Sequence, residues 1–196
     1  MDIDPIELVN QAAERGRQRL NACVAITVAL LATFMGICKV KDDNIVQAMQ
    51  QAQADKLDHW SYYQARNIRQ EVAEATLLQL RLQQPGQPAA SQPAWDDAIS
   101  SYQKLAQEQV KKKAELKAQA EADQANYDAL NFRDDQFDLS DALLAIAIAL
   151  LAVTSLTQLW WLYGLALLPS GFGVMMGLAG LLGWGIHPDA LVKLLS

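Results

Sequence analysis

Hydrophobic residues of this chain concentrate in apolar segments that are separated by long polar stretches. The longest of these segments, residues 143–186, contains no Asp, Glu, Lys, Arg or His. A helix that crosses a membrane needs ~20 mainly apolar residues, because the hydrocarbon core is about 30 Å thick and each residue rises about 1.5 Å. The segment is therefore long enough for two crossings and must contain a turn.

Two positions fit this turn. Polar residues at 157–158 stand directly before an aromatic cluster, a combination typical of the lipid headgroup layer. The alternative is Pro169–Gly171, which would leave a short last span. We place the turn at Gln158 and interpret Pro169 as a position inside the last helix, where neighbouring groups can satisfy the freed carbonyl. The cluster predicted to lie at the membrane interface consists of Trp160, Trp161 and Tyr163.

A third apolar segment, residues 22–40, follows the basic residues Arg15, Arg17 and Arg19. This order also fits a secretory signal peptide. Bulky Ile37 before Cys38 suits neither a small-residue cleavage site nor a lipid-attachment motif, so we predict a retained signal-anchor helix. The cysteines at 23 and 38 are about 22 Å apart along this helix and cannot form a disulfide with each other within one chain.

The polar region between the first and second spans predicts two long helices. Gly and Pro are absent from residues 41–84 and again from 94–140, and helix-forming residues dominate both stretches. The Pro-rich segment 85–94 between them can neither continue a helix nor pair as a strand. We therefore predict an antiparallel helical hairpin with its tip at 85–94.

Apolar residues of the first arm recur at three- and four-residue spacing and predict a packing stripe. The corresponding stripe of the second arm is thinner and more polar. Two such helices bury little apolar area by themselves, so the hairpin is expected to pack against copies of itself or a partner. The residues predicted to form this packing are Trp60, Tyr63, Ile68 and Val72.

Small residues of the last span recur with the spacing that lets two helix backbones approach closely. The two pairs are Gly173 with Gly177 and Ala179 with Gly183. They can pack against another copy, or against the other two spans of the same chain. The sequence leaves both alternatives open.

The sequence thus predicts an all-α membrane protein with three transmembrane helices and a long, coiled-coil-like helical hairpin that projects from the membrane. Three arginines in the short N-terminal tail favour a cytoplasmic N-terminus and an extracytoplasmic hairpin. The predicted segments are a polar tail at 1–21, transmembrane helix 1 at 22–40, hairpin helix A at 41–84, the tip at 85–94, hairpin helix B at 95–140, transmembrane helix 2 at 141–157, transmembrane helix 3 at 160–186 and an interfacial tail at 187–196.

Candidate chemistry is sparse in these 196 residues of net charge −6. Asp55 and His59 lie one helical turn apart and could supply half of a metal site that another subunit completes, but structural ion pairs and packing explain this region better. Acidic residues bracket Lys111–Lys113, which favours a solvated helix face over a nucleic-acid site. No Gly-rich phosphate loop or convergent polar pocket is evident, so we expect no enzyme, cofactor or metal.

One stretch carries a family resemblance. The thirteen residues Asp58–Gln70, DHWSYYQARNIRQ, follow shortly after a single span and resemble the motif of an uncharacterised bacterial membrane family, domain of unknown function 4337. The order of a span, this motif, a charged helix and a paired apolar C-terminus is similar too. The resemblance implies this architecture and a location in the bacterial inner membrane, and it implies no activity.

Three hypotheses for function follow. The first is a non-enzymatic, homo-oligomeric structural or interaction scaffold built on the hairpin. The second is an accessory subunit whose Pro-rich tip, around Pro88 and Ser91, docks a channel, transporter or envelope complex. The third is a homo-oligomeric pore lined by the apolar spans. The expected partners are the lipid bilayer, other copies of the chain and a protein at the tip, with no nucleic acid.

Overall fold

The structure, a computed structural model, describes residues 5–186, without the side chains of residues 5–9, 12 and 13. The predicted interfacial tail at 187–196 lies outside the described residues. Between residues 5 and 186 the chain is helical apart from short connections and contains no strand. The prediction of an all-α protein is therefore confirmed for the described part of the chain.

Three long helices follow one another along the chain. Helix α1 covers Pro5–Gln83, α2 covers Gln92–Thr157 and α3 covers Trp160–Leu182. Both α1 and α2 run without interruption through sequence that is apolar at one end and polar at the other. This continuity follows from the absence of prolines in the helix interiors. Within the two helices, proline occurs at Pro5, where α1 begins, and at Pro93, in the first turn of α2.

Two short 3₁₀ turns, Gln84–Gly86 and Ala89–Ser91, connect α1 to α2. Pro85 and Pro88 supply no backbone N–H, which ends the α-helical hydrogen-bond pattern here. Helix α2 starts at Gln92, slightly before the predicted start at 95, since proline is tolerated in the first turn of a helix.

The connection between α2 and α3 is short and sharp. The chain leaves the helix at Gln158, which has a left-handed φ of 59°, and α3 begins two residues later. Pro169 lies inside α3, so the alternative turn at Pro169–Gly171 is absent from the structure. With 23 residues, α3 is about 35 Å long, which suffices to cross a bilayer core.

The helices form two compact units, each with its own packing. The described residues up to Gln47 and from Leu130 onward make up the terminal unit, and Ala48–Ala129 make up the central unit. In the terminal unit the core is apolar and draws on all three helices. Its buried members are Leu20, Val24 and Leu31 of α1, Leu144, Ala147 and Leu151 of α2, and Ala166 of α3.

Six buried positions of α2 in the terminal unit repeat at alternating three- and four-residue steps: Phe137, Ser140, Leu144, Ala147, Leu151 and Thr154. Gln136 and Leu139, which are also buried, flank the start of this row. This spacing is the seam of left-handed helix packing, in which the side chains of one helix fit between those of its neighbours. By length and composition, three helices of the described chain are apolar enough to cross a membrane.

Candidate assembly surface

The interior of the central unit is polar where α1 faces α2. His59 Nδ1 lies 2.6 Å from Asp123 Oδ2, and both side chains are mostly buried. Lys56 hydrogen-bonds to the Gln124 side chain one turn away. These bonds join the two helices. They contribute little net free energy to folding, because the same groups form hydrogen bonds with water in the unfolded chain.

A second group of polar contacts lies further along the same interface. Lys113 Nζ donates to Asn67 Oδ1 at 2.8 Å and sits 5.6 Å from the centre of the Tyr63 ring. Arg66 donates to Gln109 Oε1 at 3.2 Å. Charged and amide groups therefore contribute to the contacts between α1 and α2 in this unit, where a stable helix pair usually has apolar ones.

The predicted aromatic pair lies at this interface. Trp60 and Tyr63 are partly buried and pack edge to face, with ring centres 5.3 Å apart. Met49 and Ala52 before the pair and Ala73 after it are the buried apolar residues of α1 in this unit.

Ile68 and Val72 lie elsewhere on α1, where α2 of the same chain does not cover them, so their packing against another copy or a partner stays a prediction. Their exposed fractions are 61% and 59%. The buried row of α1 continues at three- and four-residue steps, and relative to Tyr63 the side chains of Ile68 and Val72 are rotated by about 140° and 180° around the helix. The single packing stripe predicted from the sequence therefore combined residues from two separate faces of α1.

These two residues belong to an exposed apolar face of α1, which we call the outer face. At 100° per residue its members fall within an arc of about 120°. All of them are about three fifths exposed or more. The outer face consists of Leu57, Ile68, Val72, Leu78 and Leu82.

The small residues of α3 pack inside the chain. A Cβ atom at Gly173 would lie 2.9 Å from the Leu144 side chain, and one at Gly177 would lie 2.7 Å from the Phe34 ring. Ala179 is fully buried. For Gly173 and Gly177 the structure shows packing against the other apolar helices of the same chain, which is one of the two alternatives that the sequence left open.

Gly183 has a different role from the predicted one. It ends α3 with a left-handed φ of 70°, and a Cβ atom there would meet nothing within 4 Å. The packing position that sequence reasoning missed is Gly180, where a Cβ atom would lie 2.8 Å from the Phe137 ring. The continuing three- and four-residue spacing from Gly173 through Gly177 was the signal that could have found it.

The predicted interfacial aromatics split into two kinds. Trp160 and Trp161 are exposed at the start of α3, as an interfacial position requires. Tyr163 turns inward, and its hydroxyl lies 2.9 Å from Thr27 Oγ1 on α1.

Asp55 and His59, which the sequence analysis considered as half of a metal site, have other hydrogen-bond partners. His59 Nδ1 pairs with Asp123, and Asp55 Oδ1 accepts a hydrogen bond from Gln51 at 2.7 Å. Across residues 5–186, no three His, Cys, Asp or Glu side chains are grouped so that they could hold a metal ion.

Comparison with known proteins gives one match. The family model described as Domain of unknown function (DUF4337) matches residues 20–183, which is most of the chain and includes α2, α3 and α1 from residue 20 onward. This match confirms the resemblance seen in the sequence. No curated protein and no solved structure matches the chain.

Proposed function

We propose that this chain, which belongs to the DUF4337 family, is a non-enzymatic integral membrane protein that assembles with copies of itself into a structural or interaction scaffold. The observation that carries the proposal is the outer face, which leaves large apolar side chains of α1 in water. The side of α1 that contacts α2 carries, besides buried apolar residues, the partly buried polar side chains of His59, Lys56 and Arg66. Apolar side chains that recur along one helix face are typical of a surface that another helix covers.

The central unit is, in this proposal, a helical hairpin that projects from an inner membrane on its extracytoplasmic side. The order of the contacts supports it, because partners of α1 residues come from progressively earlier positions of α2. Lys56 donates a hydrogen bond to Gln124, Lys113 donates to Asn67, and Gln84, just after α1, donates to Asp96. The three apolar helices would anchor the hairpin in the bilayer.

The occupant of the outer face is a second copy of the chain. Its five side chains expose roughly 100 Å² each, so that a symmetric pair would cover about 1,000 Å², the area at which specific interfaces begin. Copies inserted the same way in one bilayer have their α1 helices running in the same direction. The outer face of one copy therefore meets the same face of the next in register. Each apolar residue of this face then lies beside the same residue of the other copy.

The test is the native mass of the full chain in mild detergent, measured for the wild type and for the double variant Ile68→Glu/Val72→Glu. Removing two apolar contacts and placing like charges opposite each other should weaken association by about 100-fold or more. The matched control is Val110→Glu, which puts the same charge on an exposed apolar position of α2 outside the outer face. Circular dichroism shows whether each variant keeps its helices.

A wild-type mass that is a multiple of 21.6 kDa and falls to the monomer only in the double variant supports the proposal. An unchanged mass in the double variant contradicts it. A wild-type complex that contains another polypeptide also contradicts it and favours the accessory-subunit hypothesis.

A further inference from the structure

Two aspartates from different helices meet in the terminal unit. Asp42 of α1 is only 4% exposed, and its Oδ2 accepts a hydrogen bond from Lys39 at 2.8 Å. Its other oxygen, Oδ1, is buried and has no hydrogen-bond donor among the described residues. Asp134 of α2 likewise has a buried Oδ1 without a donor.

The Asp42 side chain is a hydrogen-bonding neighbour of Asp134 that raises the pKa of Asp134, so the two carboxyl groups lie next to each other with a buried, unpaired oxygen on each. An ionised carboxylate can only accept hydrogen bonds, so two ionised groups in this position repel each other and leave two buried oxygens unpaired. A single proton removes both problems, because the protonated carboxyl donates to its neighbour. Carboxylates that share a site in this way do not both ionise.

We propose that Asp42 and Asp134 form a proton-binding site, in which one shared proton joins the two carboxyl groups and holds α1 against α2. The proton comes from solvent and returns to it, and no other bond changes. The site is independent of the outer face and of the proposed assembly.

Surrounding charges favour proton uptake. Two further acids of α2, Asp135 and Asp138, act on Asp134, and Asp141 acts on Asp138. On α1, Lys39 opposes them but also pairs with Asp43, and the Cys38 thiol lies near Asp42. Arg133, next to Asp134, directs its guanidinium to the Gly180 carbonyl at 2.9 Å, and α3 itself carries no Asp, Glu, Lys, Arg or His between residues 160 and 182.

The pKa of Asp134 reflects this environment. Burial, followed by the hydrogen bond to Asp42 and the charges of the neighbouring acids, raises it from 3.8 to about 7. A folded-state pKa above the unfolded value means that the contribution to stability is complete below about pH 4 and is lost as the pH rises through 7. Between pH 6 and 8.5 one such proton should shift the unfolding equilibrium by about 10-fold toward the unfolded state.

The experiment compares the full chain in detergent micelles with Asp134→Asn and with Asp43→Asn. Asparagine keeps the shape of the carboxyl group and supplies a permanent donor to Asp42, so the first variant should lose the pH dependence. Asp43 is an exposed acid in the same turn as Asp42, and its replacement should leave that dependence intact. Unfolding by a denaturing detergent gives the equilibrium, and infrared spectroscopy near pH 6 reports the carbonyl stretch of a protonated carboxyl group.

The proposal is supported if the wild type and Asp43→Asn show both the shift of about 10-fold and the infrared band, and Asp134→Asn shows neither. Persistence of the band and of the shift in Asp134→Asn overturns the proposal. A band that sodium removes at constant pH also overturns it, since the pair would then hold a cation. If Asp134→Asn fails to fold, Asp42→Asn is subject to the same criteria.

Discussion

Replacing Gly177 by alanine tests whether the three apolar segments pack together within one chain. The new Cβ atom would lie 2.7 Å from Phe34 Cε1 on α1 and 2.8 Å from Ser140 Oγ on α2. Real Cβ atoms do not approach other atoms so closely, and Ser140 is held by its hydrogen bond to the Gly173 carbonyl at 2.8 Å. The helices must therefore move apart or a side chain must leave its preferred rotamer.

The magnitude follows from two opposing terms. Overpacking in a tightly filled interior costs about 1–3 kcal/mol, whereas replacing glycine by alanine inside a helix contributes up to about 1 kcal/mol of stability. We expect Gly177→Ala to lower the free energy of unfolding by about 1–2 kcal/mol. Gly171→Ala is the matched control, because its Cβ atom would meet nothing within 4 Å and only the favourable term remains.

The assay is equilibrium unfolding of both variants in mixed detergent micelles, followed by circular dichroism. Lower stability of Gly177→Ala together with unchanged or higher stability of Gly171→Ala is the expected result. Equal stability of the two variants would refute the reasoning, because the close approach at Gly177 would then have no energetic consequence. A change of native mass without a change of stability would place the contact between copies.

Two further predictions concern polar groups that the apolar pattern does not reveal. A double-mutant cycle on His59→Phe and Asp123→Ala should give a coupling energy of about 0.5–2 kcal/mol near pH 6, measured by thermal unfolding, and additive effects would show that their contact is absent. Gln136 is fully buried and donates to two backbone carbonyls beyond α3, at 2.8 and 2.6 Å. Gln136→Leu should lower stability by about 1–3 kcal/mol, whereas Gln119→Leu at an exposed position should have little effect.

Local sequence is sufficient to predict which parts of the chain are helical and where the helices break. Helix formers without internal glycine or proline dictate continuous helix over 41–84, and the prolines at 85 and 88 remove the donors that its continuation needs. The uncharged stretch 143–186 likewise specified long apolar helices. These properties are local, because each depends on backbone donors and side chains within a few residues.

Which side of each helix faces its neighbour is seen only in the folded structure. A single helix carries two rows of apolar residues, and periodicity alone does not tell which one is covered; in the central unit His59 faces inward while Ile68 faces outward. Packing partners also come from distant parts of the chain, as with Phe34 against Gly177.

The same holds for Asp42 and Asp134, whose meeting no spacing rule reveals, since they lie 92 positions apart in the sequence. From the sequence alone, a single carboxyl group is interpreted as an ordinary solvated charge. Its environment, and with it the proton it can hold, exists only once α1 and α2 are packed, because burial and the approach of a second carboxyl group are properties of the folded chain.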